Sequence, residues 1–236
     1  MNKIIIGLIG LVFSLSASEI YATFNIEASR SADLAFNAGG IVKEVNFDIA
    51  AKVKKGQLLA VLSNADKKAN LQSAITVLKF AKKDYDRQLK VRKLIDESKF
   101  DIYAFKFENA KNQLAFQKAI YDKTFLRAPF DGVIYYKDIE IGDTVSGVSL
   151  KTVYKIQSQR ERKLVLEFDQ KYYQQVKVGD LYKYKIDGDE REQQGVIYKI
   201  YPSANANNRK IQAEVKTKDF VVGLFGDGYI FSSGSK

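Results

Sequence analysis

The sequence predicts a mainly β protein with an inserted α-helical coiled-coil hairpin, built from a split β-sandwich and a small β-barrel. Three observations lead to this fold class. A short β pattern occurs twice, at an offset of 92 residues. A helical stretch without proline or glycine, residues 66–124, separates the two copies. After the second copy, the chain returns to short segments of alternating or apolar residues that are bounded by turn residues.

The repeated β pattern begins at Gly40 and again at Gly132. Each copy continues into alternating apolar and charged residues, which is typical of a half-buried strand, and then reaches a valine, Val53 or Val145. A turn glycine, Gly56 in the first copy, follows. Neither copy is large enough to close a core alone, so we expect the two to pack as a two-fold sandwich.

Residues 66–124 are rich in helix formers and carry apolar side chains at seven-residue spacing. One unbroken helix would carry the second β copy about 90 Å from the first, at 1.5 Å per residue. We therefore predict two antiparallel helices that reverse at residues 96–98, where Ser98 and Asp101 resemble a capping box. The predicted seam comprises Leu71, Leu78 and Tyr85 with Ala74, Ala81 and Ile95, and Phe100, Phe107, Leu114 and Tyr121 with Tyr103 and Ala110.

Short strands with glycine turns dominate the rest of the chain. Together with a tight helical segment near Tyr172, they predict a small β-barrel. The residues after 231 should form a flexible tail. The predicted barrel strands are residues 163–168, 182–186, 195–201, 211–216 and 229–231.

The first residues are typical of an export signal. Lys3 precedes an apolar run over residues 4–15, and small residues lead to Ala22. The run is shorter than the roughly 20 residues that span a bilayer as a helix. We therefore predict a signal peptide over residues 1–22, with a retained anchor as the alternative.

Composition argues against catalysis, because the chain contains no cysteine and no histidine. Cysteine nucleophiles, thiolate zinc sites, serine–histidine catalysis and histidine-based metal sites all require one of these residues. We expect no enzyme, no metal site and no cofactor. The net charge of +10 indicates either attraction to anionic headgroups and acidic partners or simply a solvated basic exterior. Nucleic acid is not an expected partner of an exported chain.

The most specific motif is Leu-Arg-Ala-Pro-Phe-Asp-Gly-Val-Ile, at residues 126–134. It is similar to the segment with which membrane fusion proteins leave their helical hairpin. These proteins are the periplasmic adaptors of resistance-nodulation-division pumps and HlyD-like systems. The segments around Gly40 and Gly56 resemble the other half of their lipoyl-like domain. The residues that match lipoyl-like halves are Gly40, Gly56, Ala128, Pro129, Phe130, Asp131 and Gly132.

This resemblance covers residues 38–231 and implies a division of the chain into lipoyl-like, hairpin and barrel domains. The predicted domains are residues 1–22 (signal peptide), 23–65 with 125–157 (the two lipoyl-like halves), 66–124 (hairpin), 158–231 (barrel) and 232–236 (tail).

The resemblance also implies a function: an adaptor in the periplasm of a Gram-negative bacterium, within a tripartite efflux pump. Its partners would be an inner-membrane transporter, a TolC-like outer-membrane duct and further copies of itself in a ring of about six. Several copies bound together would make weak single contacts with the duct sufficient through avidity. Peripheral contact with the inner membrane is also expected. The short hairpin favours a resistance-nodulation-division transporter over a type I secretion or ATP-driven exporter.

Two other functions remain open from the sequence. A lipoyl or biotin carrier would present its modified lysine between the two β halves, where this chain holds residues 66–124. A structural envelope protein without transport is the other alternative. The lack of histidine and cysteine, with a single methionine, argues against an adaptor that relays copper or silver.

The hairpin tip carries the candidate binding site. Adaptors that meet TolC-like ducts show an arginine, a leucine four residues later and a serine eleven residues after the arginine. Arg87, Val91 and Ser98 have this spacing, with valine in place of leucine. The resemblance implies that Arg87 bonds carbonyls or carboxylates of the duct, Val91 fills a groove between helices and Ser98 closes the turn.

The chain departs from the family pattern in two further places. Many lipoyl-like halves carry glycine where Ala50 stands, so a different turn is expected there. A membrane-proximal domain would need strands from both chain ends, and few residues precede Gly40. We therefore expect that domain to be missing, and contact with the transporter to fall to the barrel and the tails.

Overall fold

The computed structural model describes residues 18–232, which form two compact units. One unit is Arg30–Gln159, and the other combines the described residues on either side of it. The predicted fold class is confirmed: strands dominate, and a helical hairpin is inserted between them. Across residues 18–232, no helix has the length and apolarity to cross a membrane.

The elements are numbered in chain order. The first unit contains β2 (Ser31–Leu34), β3 (Gly40–Val45), β4 (Lys52–Val53), β5 (Leu58–Leu62), α1 (Ala65–Lys90), α2 (Glu97–Asp122), β6 (Phe125–Arg127), β7 (Gly132–Lys137), β8 (Thr144–Val145) and β9 (Tyr154–Ser158). The second contains β1 (Ser18–Ala28), β10 (Glu161–Asp169), β11 (Leu181–Ile186), β12 (Gln193–Ala204), β13 (Lys210–Lys218) and β14 (Phe225–Ser232).

The sandwich mixes strands from both halves of the chain within each sheet. One sheet has the order β2-β9-β7-β4 and the other β6-β5-β3-β8. Strands before the hairpin therefore pair with strands after it in both layers. Apolar side chains of both halves meet between the layers, where Leu59, Leu62, Ile134 and Ile156 are fully buried. Neither half can form its sheets without the other.

The sequence repeat appears in the structure as a pair of reciprocal strand pairings. Gly40 of β3 is paired with Val145 of β8, and Gly132 of β7 is paired with Val53 of β4. Each pairing joins the glycine of one copy to the valine of the other. The two copies therefore form the predicted two-fold sandwich by exchanging strands between its two sheets.

Ala50 occupies the turn that the sequence marked as unusual. Its φ is 69°, in the left-handed region, and its two-fold equivalent Gly142 has a φ of 95°. The Ala50 N–H donates to the Ile134 carbonyl over 2.8 Å, as the Gly142 N–H does to the Val42 carbonyl over 2.9 Å. The expected different turn is therefore wrong, because alanine adopts the glycine-type turn. The left-handed conformation costs a non-glycine residue about 1–2 kcal/mol, which the surrounding pairings offset.

The two helices form an antiparallel hairpin with the predicted heptad seam. Ala74, Phe100 and Ala110 are buried between the helices. Tyr85 lies between two aromatic rings of α2, 5.5 Å from that of Phe100 and 5.2 Å from that of Phe107. Each helix has 26 residues, which corresponds to a length of about 39 Å.

The base of the hairpin is fixed where it leaves the sandwich. The Asn64 side-chain amide donates to the Thr124 hydroxyl over 2.9 Å, and the Leu62 N–H donates to the Thr124 carbonyl over the same distance. Thr124 is fully buried. These bonds hold the start of α1 beside the end of α2.

The barrel is closed by six strands in the order β1-β10-β13-β12-β11-β14. The five strands predicted from residue 163 onward correspond to β10–β14, and a short 3₁₀ turn at Gln170–Tyr172 matches the predicted helical segment. The sixth strand, β1, was missed. Its inward-facing side chains, Ile20, Ala22, Phe24 and Ile26, are all buried in the barrel core.

Strand β1 corrects two predicted boundaries. Residues 23–28 belong to the barrel and not to the first lipoyl-like half. A signal cut after Ala22 would remove five residues of β1, including the fully buried Ile20. The small residues at 16–18 and 22 resemble a cleavage site, and this similarity hid a strand with period-two alternation. Residues 1–17 lie outside the described residues.

A buried carboxylate joins three barrel strands. Glu214 of β13 accepts hydrogen bonds from Lys163 over 2.8 Å, from Tyr201 over 2.7 Å and from the Tyr198 hydroxyl. Burial favours the protonated form, but the three donors outweigh it and lower the pKa of Glu214 to about 2. Burial, and then donation to the Glu214 carboxylate, raises the pKa of Tyr198 to about 12.

We predict that Glu214→Gln lowers the free energy of unfolding by about 1–2 kcal/mol at pH 7, because the charge-assisted bonds are lost. The folded-state pKa lies below the ordinary value of 4.5. The carboxylate therefore makes its full contribution to the free energy of unfolding above pH 4.5, and this contribution disappears as the pH falls toward 2.

Urea unfolding at pH 7, 5 and 3 measures this difference. The control is Glu27→Gln, which removes an exposed carboxylate 3.5 Å from the same lysine. Equal stability of Glu214→Gln and the parent at pH 7 would contradict the prediction, as would a difference that does not shrink in acid.

Candidate functional site: the tip of the helical hairpin

The chain reverses between the helices over residues 91–96. Helix α1 ends at Lys90, and the Val91 N–H donates to the Gln88 carbonyl over 3.1 Å. A single 3₁₀ turn, Arg92–Leu94, follows, in which the Leu94 N–H donates to the Val91 carbonyl over 2.8 Å. The reversal therefore begins five residues earlier than the predicted one at 96–98.

Asp96, and not Ser98, caps the start of α2. The backbone of Asp96 is extended (φ −61°, ψ 139°), and its carboxylate accepts from the Ser98 N–H over 2.8 Å and from the Ser98 hydroxyl over 2.5 Å. Donation from the hydroxyl and then from the backbone N–H of Ser98 lowers the pKa of Asp96. The predicted capping box of Ser98 with Asp101 is wrong, because the carboxylate of Asp96, two residues earlier, takes the N-cap position.

Leu94 is the most exposed apolar side chain of the tip, at 85%. Leu89 and Val91 beside it are also exposed, whereas Ile95 is half-buried. Sequence reasoning missed Leu94. The signal was present, because Leu94 is a large apolar residue next to a turn and lies on neither heptad line. An exposed leucine at the end of a rigid hairpin is suited to enter an apolar groove of a partner.

The tip is also basic. Residues 87–99 contain five basic and two acidic side chains. Arg87 is exposed and forms an ion pair with Asp84 on the same helix. The Arg92 guanidinium lies 4.5 Å from the centre of the Phe100 ring, so it covers the last layer of the seam. The exposed leucine thus lies in a basic segment of the chain.

The structure places all three predicted tip residues at this end of the hairpin but on different elements. Arg87 lies on the last turn of α1, Val91 follows its end, and Ser98 lies in the first turn of α2. Among the described residues, no hydrogen bond joins any of the three to another. The Ser98 hydroxyl is engaged by Asp96 and acts within the cap.

The lipoyl-like motif residues lie in the sandwich, where their contacts are structural. Gly56 has a φ of 80°, its N–H donates to the Ala128 carbonyl over 2.8 Å, and the Ala128 N–H donates to the Gln57 carbonyl over 3.0 Å. The Asp131 carboxylate accepts from the Lys55 N–H over 2.7 Å. Together these bonds tie the turn after β4 to the segment between β6 and β7.

The remaining motif residues serve packing. A Cβ at Gly132 would lie 2.4 Å from the Gln157 carbonyl oxygen, so no larger residue fits there, whereas a Cβ at Gly40 would meet Leu62 at an ordinary 3.6 Å. The Phe130 ring lies 5.1 Å from the Arg30 guanidinium. Pro129 is exposed.

We predict that Asp96→Ala destabilises the first turn of α2 by about 1 kcal/mol, the usual cost of losing a helix N-cap. Amide hydrogen exchange at Ser98 and Lys99 should accelerate about fivefold, because that free energy corresponds to such a factor. Asp101→Ala is the matched control and should leave both amides unchanged. Faster exchange in Asp101→Ala than in Asp96→Ala would restore the capping box.

Residues 30–157, more than half of the chain, match the family of CzcB-like barrel-sandwich hybrid domains. The cobalt-zinc-cadmium resistance protein CzcB of Cupriavidus metallidurans is 31% identical over 129 residues, covering 45% of this chain and 24% of that protein. The cation efflux system protein CzcB of an Alcaligenes species is 30% identical over the same length. The chain thus spans about a quarter of the length of these curated relatives.

Solved structures show the same fold. A MacA-MexA chimeric protein containing the Pseudomonas aeruginosa MexA α-hairpin domain has a TM-score of 0.84 at 18% identity, covering 93% of this chain and 84% of that one. The membrane fusion protein Spr0693 of Streptococcus pneumoniae R6 has a TM-score of 0.73 at 14% identity, covering 90% and 99%. The chain belongs to the CzcB-like barrel-sandwich hybrid family, whose members are membrane fusion proteins, the periplasmic adaptors.

Proposed function

We propose that this protein is the adaptor of a tripartite efflux system, linking an inner-membrane transporter to an outer-membrane duct without catalysing a reaction. The observation that carries the proposal is the tip of the hairpin. Leu94 is presented to solvent within a basic segment, at the end of a seam in which the Tyr85 and Phe100 rings pack together. Leu89 and Val91 are exposed within the same six residues, and grouped exposed apolar side chains favour an interaction site over a plain envelope spacer.

Docking to the duct is proposed to use Leu94 with Arg87 and Val91. Leu94 would enter a groove between the duct's helices, where burying its side chain is favourable by about 1.5–3 kcal/mol. Arg87 would exchange its ion pair with Asp84 for carbonyl or carboxylate groups of the duct. Ser98 would act indirectly, because its hydroxyl is held in the Asp96 cap.

In a ring of about six copies, a weak contact between each tip and the duct would be sufficient for stable docking. When one hairpin is bound, the others are held near their own sites at high effective concentration, so avidity exceeds the single-site affinity. Energy for export would come from the transporter.

A resistance-nodulation-division transporter is the proposed partner, and a type I secretion or ATP-driven exporter is the alternative. Helices of 26 residues reach only about 39 Å. A transporter whose own periplasmic part spans some of the gap fits this reach better. The curated relatives bear the names of cobalt, zinc, cadmium and cation efflux. Divalent metal cations are therefore one substrate class to test, beside hydrophobic compounds.

We also propose export of the chain to the periplasm by a signal within its first residues. Because β1 starts at Ser18 and buries Ile20, cleavage, where it occurs, should fall before Ser18. The mass of the protein purified from the periplasm tests this. A mature chain that begins at Thr23 would contradict the assignment of β1.

We predict that deleting the gene raises accumulation of the exported substrate and lowers resistance to it. Growth should be measured with cobalt, zinc and cadmium salts, and separately with bile salts, dyes and hydrophobic antibiotics. Leu94→Asp should fail to restore resistance and should reduce cross-linking to the duct at least about tenfold, as expected for a central interface residue.

The matched control is Leu150→Asp, which changes another exposed leucine, at 62% exposure in a loop of the sandwich unit, and should restore resistance. Unchanged resistance and accumulation in the deletion strain, for every compound class, would overturn the efflux function. Parental cross-linking by Leu94→Asp would instead remove only the tip from the interface.

A further inference from the structure

Helix α2 carries a second, largely apolar stripe on the side away from its seam with α1. Each position of this stripe comes two residues after a seam position, which is about 200° around a helix of 3.6 residues per turn. None of the charged residues of α2 lies on it. We call it the outer stripe and define it by six residues at heptad spacing, Ile102, Phe105, Asn109, Asn112, Phe116 and Ala119.

The outer stripe is exposed to solvent. The exposed fractions of its three largest side chains are 52% for Ile102, 71% for Phe105 and 58% for Phe116. Phe105 also lines a cavity of about 510 Å³ with Val77 and Phe80 of α1, so the apolar surface continues onto the first helix. A hairpin of two helices needs only one apolar stripe on each helix. A second stripe indicates that another helix packs on the outer side of α2.

Helix α1 provides a comparison within the same molecule. Its corresponding line, two residues after the seam positions, begins with Ser73, Thr76 and Phe80 and continues with Lys83 and Arg87 toward the tip. Such a mixture is typical of a helix face in contact with water. The outer stripe is therefore specific to α2 and is not a general property of the hairpin surface.

The charges beside the outer stripe select the partner. In a parallel pair of helices with Ile102 at an a position, a g residue lies opposite the e residue five positions later on the other helix. Asp101 of one copy would thus meet Lys106 of a second copy, and a two-fold axis would repeat this pair. Glu108 would face the uncharged Gln113. Within residues 18–232, neither Asp101 nor Lys106 has an ion-pair partner.

An antiparallel pair of the same stripes would lose this attraction. With Ile102 opposite Ala119, Asp101 of one copy would meet Asp122 of the other, and Lys106 would meet Gln113. In the parallel pair, in contrast, Asn109 meets its own equivalent across the axis. An asparagine at an a position specifies such a register, because two amides can hydrogen-bond each other, and it makes the association weaker than an all-apolar seam would.

We propose that two copies of this chain associate through the outer stripes of their α2 helices, as a parallel pair about a two-fold axis. The two tips then lie side by side at the same end of the pair. This contact uses one face twice and closes at two copies, whereas a ring is built from two different faces. It is therefore a separate contact from that of the expected ring, and it does not depend on the efflux function.

Disulfide cross-linking of the purified full chain, in the form in which the envelope holds it, tests the proposal, because the parent contains no cysteine. In a parallel pair, each a position meets its own equivalent. Asn109→Cys and Phe116→Cys should therefore both give disulfide-linked dimers under mild oxidation. The matched control is Lys83→Cys, on the corresponding line of α1. Its dimer yield should be at least about tenfold lower, because two such cysteines are too far apart to bond.

The charges are tested in the Asn109→Cys background. Asp101→Lys should lower the dimer yield about fivefold, because two attractive pairs become repulsive. The charge exchange Asp101→Lys/Lys106→Asp should restore the yield, although it leaves the outer stripe itself unchanged. Salt should reduce the difference between these variants, because exposed charges are screened.

Dimer yields of Asn109→Cys and Phe116→Cys no higher than that of Lys83→Cys would overturn the proposal. A disulfide that forms only in a mixture of Phe105→Cys with Phe116→Cys would also overturn it, and would make the pair antiparallel. A disulfide that forms only in a mixture of Asn109→Cys with Lys83→Cys would replace it by a head-to-tail contact between α2 and α1. The substituted side chains are exposed, so thermal melting should match that of the parent.

Discussion

The exchange of strands between the two β halves is the constraint on which the sandwich and the hairpin depend. Both sheets need strands from before and after the helices, and the pairing of Ala60 with Leu126 and of Val61 with Phe125 brings the chain back to the point where it left. Helices attached to neighbouring strands must run side by side, in opposite directions. The antiparallel seam is thus required by the β pairing as well as favoured by its own apolar residues.

The same constraint explains why the tip can be a precise binding element although it is far along the chain from the sandwich. The Asn64–Thr124 bond fixes one end of the helix pair, aromatic stacking around Tyr85 fixes the other, and Asp96 orders the start of α2. These side chains act at different places along the hairpin, from its base at the sandwich to the chain reversal at its tip. The exposed leucine is therefore positioned by contacts that it does not make itself.

Much of this could be predicted from the sequence, because the periodic patterns are long. Heptad spacing identified the seam residues, and period-two alternation identified five barrel strands. The failures have local causes. Strand β1 shares its small residues with an export signal, and Asp96 and Ser98 are both good cap residues only two positions apart. Strand exchange was not predicted because a sequence repeat fixes which segments are equivalent but not which segments pair. Leu94 was missed because the tip residues were selected by the family's arginine–leucine–serine spacing, in which residue 94 has no position.

Both helices are attached at one point of the sandwich. The length of the hairpin can therefore change without any change in the sandwich. Seven residues added to each helix would extend it by about 10.5 Å while returning every seam side chain to its own face. The Asn64–Thr124 bond and the reversal at residues 91–96 would keep their surroundings. Relatives that bridge wider gaps could therefore arise by paired heptad insertion, with no change to the β domains.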